Sequence, residues 1–195
     1  GNVAGNEIHV EGGTVGAAAV AGGYSESGTA TANEVSITSD GTFRDVYGGR
    51  AGNGSAAGNT VTLTGGTYTG AVMGGAGMIG DDSEGNTIID VTDNSVSVTG
   101  STVKNVYGSY AESGNASGDV TIEDGRFSGG VIAGAYSVTG GSANSNTVTI
   151  TNGALATGGT ATDVYGGYAG TGSANANIVQ ITGNTFSGGT IAGGY

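Results

Sequence analysis

One short phrase recurs seven times along this chain, and it constrains the fold more than any other feature. The phrase runs roughly N-T-V-T-I-T, G-G, x-F-x-G and V-Y-G-G-Y, followed by a small polar loop. A repeat of about 26 to 34 residues is one coil of a solenoid. We therefore expect residues 1–195 to form one β-solenoid, a fragment of a longer repeat protein. The coils are predicted to start near Asn6, Asn33, Asn59, Asn86, Asp119, Asn146 and Asn177.

The strands are indicated by residues that alternate between aliphatic and polar. In the third coil Val61 and Leu63 alternate with threonines, so one face of the strand points inward and the other outward. A second strand carries the V-Y-G phrase, and a short third strand carries an aromatic residue such as Phe43 or Phe127. This pattern predicts an all-β fold, a single parallel β-helix of about seven coils with three short strands per coil. Right-handed winding is expected because β-crossovers favour that hand.

The polar residue that heads each coil has the same inward parity as the aliphatic residues. Inward amides can stack in a ladder in which each donates to the next. A metal or sugar site built from asparagines is the alternative. Asp119 should interrupt the ladder, since an ionised carboxylate only accepts hydrogen bonds. The predicted ladder positions are Asn6, Asn33, Asn59, Asn86, Asp119, Asn146 and Asn177.

Tyrosines in the V-Y-G phrase recur in alternate coils. Tyr47, Tyr107 and Tyr165 occupy this position in the even coils, and alanine or methionine replaces them in the odd coils. By parity these side chains face outward, about 9.6 Å apart for two coils. Duplication of a two-coil ancestor accounts for the alternation. An aromatic stripe that binds a carbohydrate or a neighbouring rod is the functional interpretation.

Charge excludes several classes of partner. The formal net charge is −12 and the chain has only four basic residues, so a nucleic-acid or anionic-membrane binder is not expected. No apolar run is long enough for membrane insertion as a helix. The chain has no cysteine, which removes disulfides and thiolate metal ligands.

Catalytic chemistry is poorly represented. Asp81, Asp82 and Glu84 form the densest acidic segment, which is either a solvated loop or a weak calcium site. His9 is the only histidine and is expected on the surface. We therefore interpret the chain as non-enzymatic, without a cofactor beyond that weakly bound calcium.

Two coils are longer than the others. We place their insertions within residues 90–104 and 152–163, at the same corner of the solenoid, where both should protrude from one side. Each insertion leads into a V-Y-G strand, so Tyr107 and Tyr165 should lie beside its base. Loops on a rigid scaffold often carry binding sites.

The phrases G-N-T-V-T-L-T-G-G at 58–66, D-V-Y-G-G-R-A-G-N-G-S-A-A-G-N at 45–59 and D-V-Y-G-G-Y-A-G-T-G-S-A-N-A-N at 163–177 resemble the repeats of bacterial autotransporter (type V secretion) passenger domains. The resemblance covers essentially the whole chain. It implies a right-handed parallel β-helix on the surface of a Gram-negative cell, used for adhesion or aggregation. It carries over no binding residues, because the repeats define no site.

Three functions remain open from the sequence. The first is an extracellular structural or adhesive repeat region that contacts a host or bacterial surface protein or glycan. The second is a self-assembling extracellular fibre whose copies stack head to tail. The third is an ice-binding solenoid, suggested by outward threonines but weakened by an irregular central outward row: His9, Ser36, Thr62, Ile89, Thr121, Thr149 and Gln180.

Overall fold

The computed structural model describes residues 1–13, 16, 19–78, 89–155, 159–160, 162–183, 186 and 188–195. Over these residues the chain is all-β, with parallel strands stacked as a β-solenoid of about six turns. This confirms the fold predicted from the repeat, while the direction of winding stays a prediction. The strands are β1 Val3–Ala4, β2 Glu7–Glu11, β3 Val20–Ser25, β4 Ala30–Thr31, β5 Glu34–Thr38, β6 Thr42–Phe43, β7 Val46–Ala51, β8 Ala56–Ala57, β9 Thr60–Thr64, β10 Thr67–Gly77, β11 Val91–Thr99, β12 Thr102–Ser113, β13 Ala116–Glu123, β14 Arg126–Phe127, β15 Gly130–Thr139, β16 Thr147–Thr151, β17 Ala154–Leu155, β18 Thr162–Ala169, β19 Ile178–Thr182 and β20 Ile191–Gly194.

These strands form two ten-stranded parallel sheets. The first sheet contains β1, β2, β4, β5, β8, β9, β11, β13, β16 and β19, and the second contains the other ten. The predicted third strand is present as two-residue segments such as β6 and β14, which pair with the starts of β10 and β12 in the second sheet. Each coil therefore presents two broad outer faces, one from each sheet.

The core lies between the two sheets and is built from equivalent residues of successive coils. Val35 pairs with Val61, and Val61 pairs with Val96. Val61, Leu63, Val148 and Ile150 are fully buried, as their inward parity predicts. Val179, on the last strand of the first sheet, is only partly buried. Stacking like residues in this way removes a continuous apolar column from water, which is the main stabilising term of such a rod.

The fourth coil begins later than the sequence suggested. Val96 and Val98 in β11 pair with Val61 and Leu63, so Asn94 heads this coil. Asn86 lies outside the described residues. Residues 91–99 and 102–113 are strands, so the insertion expected within 90–104 is wrongly placed. The extra residues fall between Gly77, at the end of β10, and Val91.

The insertion of the sixth coil lies at a different corner. Phe127 pairs with Leu155, and Gly130 pairs with Thr162. The additional residues therefore separate β17 from β18, within the predicted range 152–163. The two insertions do not share a corner, since one precedes a strand of the first sheet and the other precedes a strand of the second. The expectation that both protrude side by side is wrong.

Candidate functional site: the tyrosine face

Buried asparagines form a ladder inside the corner that precedes the first sheet. The Nδ2 group of Asn33 donates to Asn59 Oδ1 at 2.9 Å, and Asn59 Nδ2 donates to Asn94 Oδ1 at 2.8 Å. The backbone N–H groups of Asn33 and Asn59 donate to the same two oxygens. Each amide thus links three coils and satisfies backbone that no strand pairs. Its role is structural, which the donor and acceptor pattern of amides allows.

The residue before each ladder asparagine adopts a left-handed conformation. Ala32, Asp93, Ser145 and Ala176 have φ of 51°, 58°, 60° and 55°, a region that non-glycine residues rarely occupy. Gly5 and Gly58 fill the same position in front of Asn6 and Asn59. This backbone turn aims the asparagine inward, and it marks Asn94 as the head of the fourth coil.

The fifth coil departs from the ladder through a paired change. Gly118, not Asp119, occupies the ladder position, and its N–H donates to Asn146 Oδ1 at 2.8 Å. Asp119 lies one residue later, where its carboxylate accepts from the Thr147 N–H at 2.7 Å. Ser109 pairs with Gly75 and lies against Gly118, at a position that is glycine in most coils. Its hydroxyl accepts from Asn94 Nδ2 at 2.9 Å and donates to Ser117 O at 2.6 Å. The Ser109 hydroxyl thus accepts the hydrogen bond from Asn94 that an asparagine amide at position 118 would otherwise accept.

The predicted calcium candidates cannot be placed. Asp81, Asp82 and Glu84 lie outside the described residues. Within the described ranges, no group of three or more histidine, aspartate or glutamate side chains is arranged to hold a metal ion. His9 lies on the exposed surface of β2, 3.5 Å from a carboxylate oxygen of Glu7.

The outer face of the second sheet carries every tyrosine of the chain except Tyr68. We call this surface the tyrosine face. Pairing of the strands aligns its side chains in two columns that run along the rod. The V-Y-G column contains Ala21, Tyr47, Met73, Tyr107, Ala133, Tyr165 and Ala192. The second column contains Tyr24, Arg50, Ala76, Tyr110, Tyr136, Tyr168 and Tyr195.

Four tyrosines in consecutive coils form a continuous stack in the second column. Ring centroids are 5.8 Å apart for Tyr110 and Tyr136, 4.2 Å for Tyr136 and Tyr168, and 5.3 Å for Tyr168 and Tyr195. The ring planes differ by only 7° to 11° across these three contacts. Because the faces of the central rings contact each other, their edges and hydroxyl groups are what this stack presents outward.

The V-Y-G column braces this stack from the side. Tyr107 makes edge contacts with Tyr110 and Tyr136, each with centroids 5.4 Å apart, and Tyr165 contacts Tyr168 at 5.5 Å. These contacts leave Tyr107 only 8% exposed and Tyr165 only 7% exposed. The sequence predicted that both residues lie on the outer face, but their neighbours cover them, so they do not form an open stripe.

Burial raises the pKa of three phenols of the tyrosine face above the ordinary value of tyrosine. It raises the pKa of Tyr107, and the nearby Tyr136 and Tyr110 add to the effect. Burial also raises the pKa of Tyr136 to about 12, and the neighbouring Tyr168 and Tyr110 add to the effect. Burial followed by the negative charge of Asp163 raises the pKa of Tyr165. The hydroxyl groups of Tyr107, Tyr136 and Tyr165 therefore stay uncharged well above neutral pH.

The other end of the tyrosine face is built around a cation. The guanidinium carbon of Arg50 lies 5.4 Å from the ring centroid of Tyr24 and 5.5 Å from that of Tyr47. Tyr24 is 54% exposed. Attraction between the cation and the two rings holds Arg50 against the sheet. The face thus has a cationic end and a phenolic end, separated by Ala76.

The second column was missed by the sequence reasoning, although its signal is present. It is the last residue of the V-Y-G-G-Y phrase, which is tyrosine in five of the seven coils. Parity along the strand fails to show that it faces outward, because a Cβ at either glycine of the phrase would point into the rod, and two successive inward positions break the alternation. A Cβ at Gly48 would lie 2.5 Å from the carbonyl oxygen of Gly74 in the next coil. Only glycine permits this close approach.

The outer face of the first sheet is rich in hydroxyl groups. The corrected register removes Ile89 from the central outward row, because Ile89 is buried and Ser97 pairs with Thr62 and Thr121. The row then contains His9, Ser36, Thr62, Ser97, Thr121, Thr149 and Gln180. We call this surface the hydroxyl face, and it is more regular than the sequence suggested.

Comparison of the chain with protein-family models, with curated proteins and with solved structures finds no match. No membrane-spanning helix is found in the part of the chain that the structure describes.

Proposed function

We propose that this chain is a non-catalytic structural repeat region of an extracellular bacterial surface protein, and that its tyrosine face makes adhesive or aggregative contacts. The observation that carries the proposal is the continuous stack of Tyr110, Tyr136, Tyr168 and Tyr195 on an outer face. The core of the rod does not require these residues, since the inward valines and isoleucines fill it.

The chemistry of the tyrosine face suits a protein partner. Protein interfaces are enriched in tyrosine and arginine and depleted in lysine and acidic residues at their centres. The two columns contain only tyrosine, methionine, alanine and one arginine. A sugar ring would need an open aromatic face, and within the stack those faces are already in contact. The partner favoured by this geometry is therefore a protein surface, a second copy of the rod among them.

Lateral association can be measured with the chain itself. We expect sedimentation velocity at rising protein concentration to detect association, and higher salt to strengthen it by screening the net charge of −12. Tyr136→Thr combined with Tyr168→Thr should abolish both this association and the adhesion of coated beads to bacteria or host cells. Threonine suits an outward strand position, so the fold should be retained.

A matched control separates the tyrosine face from general surface effects. Thr121→Ala combined with Thr149→Ala changes the hydroxyl face to a similar extent and should leave adhesion unchanged. Head-to-tail stacking into fibres, the alternative assembly, joins coil ends and should persist in the tyrosine variant. If the tyrosine variant adheres and associates like the parent, the proposed role of this face is wrong.

Ice binding is a second candidate, favoured by the corrected row of the hydroxyl face. Ser36, Thr62, Ser97, Thr121 and Thr149 lie on consecutive coils. Glu34, Asp119 and Glu123 interrupt the rows on either side, which argues against a uniform lattice-matching surface. Thermal hysteresis at micromolar protein, lost in the Thr121→Ala and Thr149→Ala variant, would establish this function in place of adhesion.

A further inference from the structure

We propose that the tyrosine stack is a site of oxidative cross-linking, in which a peroxidase and hydrogen peroxide join Tyr136 to Tyr168 by a covalent dityrosine bond. The bond would covalently cross-link two neighbouring coils on the outside of the rod. This inference goes beyond the adhesive function and does not depend on it.

The geometry selects one pair of rings. Tyr136 and Tyr168 occupy paired positions on neighbouring strands, and their ring centroids are 4.2 Å apart with planes only 7° from parallel. Paired backbone positions and nearly parallel rings place the two phenols one above the other, so the ring carbons ortho to their hydroxyls lie near one another. These are the carbons that couple in tyrosyl radicals, and a pivot of the two rings about their Cβ–Cγ bonds brings them into contact.

Neighbouring tyrosines can also be oxidised and pass the radical to this pair. Tyr136 and Tyr168 are partly exposed, and Tyr195, 5.3 Å from Tyr168, is 63% exposed. A radical formed on Tyr195 or Tyr110 is in ring contact with the central pair. A radical formed on any ring of the stack can therefore pass to Tyr136 or Tyr168, whose rings are closest together.

The reaction balances with hydrogen peroxide as the oxidant. Each phenol gives up one electron and one proton, which leaves two phenoxyl radicals. A carbon–carbon bond forms between the two ortho positions, and the hydrogens on those carbons return to the oxygens as the rings regain aromaticity. Two tyrosines and one hydrogen peroxide therefore yield one dityrosine and two molecules of water.

Peptide mapping gives a direct test. The purified chain is treated with a peroxidase and hydrogen peroxide at low protein concentration, then unfolded and cleaved before Asp124 and Asp163. Tyr136 is the only tyrosine of the 124–162 fragment. We expect this fragment to appear joined to 163–195, with the joined mass lower than the sum by two hydrogen atoms, together with dityrosine fluorescence. Tandem mass spectrometry should assign the bond to Tyr168.

Two conservative variants test the assignment. Tyr168→Phe keeps a ring in the stack and removes the phenol, so the joined fragment should fall at least tenfold. Tyr24→Phe is the matched control, because Tyr24 pairs with Arg50 and not with a tyrosine, and it should leave the yield unchanged. Circular dichroism verifies that both variants retain the β-fold.

Other outcomes would overturn the inference. A joined fragment of equal yield in Tyr168→Phe would show that the close pair is not the site. Products that are mainly intermolecular, or the same linkage pattern in urea-unfolded protein, would show that the stack confers no selectivity. Absence of the joined fragment while free tyrosine couples in the same mixture would show that the stacked rings cannot reach the bonding geometry.

Discussion

Truncation of one ladder amide should destabilise the rod far more than its size suggests. Asn59 is fully buried, and its Oδ1 accepts from the backbone N–H of Asn33 at 3.0 Å and from Asn33 Nδ2 at 2.9 Å. Its Nδ2 donates to the Ala30 carbonyl at 2.9 Å and to Asn94 Oδ1 at 2.8 Å. Asn59→Ala therefore removes hydrogen bonds to residues of the two adjacent coils.

The expected magnitude follows from the groups left without partners. A buried donor or acceptor that loses its partner costs about 1–3 kcal/mol, and the Asn33 N–H, the Asn33 amide and the Ala30 carbonyl are all affected. No side chain is at hand to fill the gap, since the residue opposite is Gly49, and the Asn59 side chain occupies the place where a Cβ of residue 49 would lie. We expect Asn59→Ala to lower the free energy of unfolding by about 3–5 kcal/mol.

Asn6→Ala is the matched control. Asn6 is exposed, and truncation removes only the bond from its Nδ2 to Asn33 Oδ1 at 2.8 Å, while its backbone N–H can still donate to the same oxygen. The loss should stay below about 1 kcal/mol. Urea denaturation followed by circular dichroism measures both variants, with an unchanged m value indicating loss of stability without a change in the surface exposed. If Asn59→Ala and Asn6→Ala differ by less than 1 kcal/mol, the ladder is not a stabilising network.

Three further predictions follow from the left-handed corner, the paired change in coil five and the buried phenols. Ala32→Gly should stabilise the rod by up to about 1 kcal/mol, because glycine accepts a positive φ without strain, whereas Ala57→Gly, in a strand, should destabilise it; thermal melts compare the two. Gly118→Asn should be strongly destabilising, since a Cβ there would lie 2.7 Å from the Asn94 carbonyl oxygen and 2.8 Å from both the Gly108 carbonyl carbon and Ser109 Oγ. Ser109→Gly should relieve only the last of these contacts, which a double-mutant cycle measures as a coupling energy of about 1 kcal/mol. Tyr136 and Tyr107 have raised pKa values in the folded chain. Their contribution to the free energy of unfolding is therefore complete below about pH 10 and is lost as the pH rises towards 12 and beyond. The urea midpoint should fall between about pH 9 and pH 12, and it should fall less steeply in Tyr107→Phe.

The fold could be predicted from the sequence because the core imposes a two-residue alternation within each strand and a coil-length repeat along the chain. Alternation of Val61 and Leu63 with threonines fixes which side of the strand is buried, and the return of this phrase fixes the stacking. Two of the seven coil starts were misplaced, since short segments that combine a polar residue with aliphatic residues recur by chance. Asn86 precedes Thr87 and Ile88, which resembles the start of a coil, yet the residue that heads the coil is Asn94, eight positions later. A coil start judged by its distance to Val106 would have favoured Asn94.

The other misplaced ladder residue, Asp119, shows that a shift of one position along a strand changes which residue faces inward. Asn59 precedes Val61 by two residues, whereas Asp119 directly precedes Val120. Side chains one position apart on a strand point to opposite faces, so Asp119 faces outward and Gly118 takes the inward position. Nothing in the single residue Gly118 signals this role. The signal lies in its partner Ser109, which breaks the run of glycines in the V-Y-G-G phrase, and the partnership is visible only once the two strands are brought together.

The inward and outward columns of the rod differ in what the fold demands of them. The inward columns hold aliphatic and aromatic residues, small residues and asparagine, because the neighbouring coil fills the remaining space. The outward column that contains Arg50, Ala76 and Tyr110 is under no such constraint, since all three residue types occupy it. Yet from Tyr110 onward it holds tyrosine in every coil, through to Tyr195. A scaffold requirement would act equally on all coils, so a stack confined to one part of the rod is better explained by a local task of that surface, either contact with a partner or covalent reinforcement between coils.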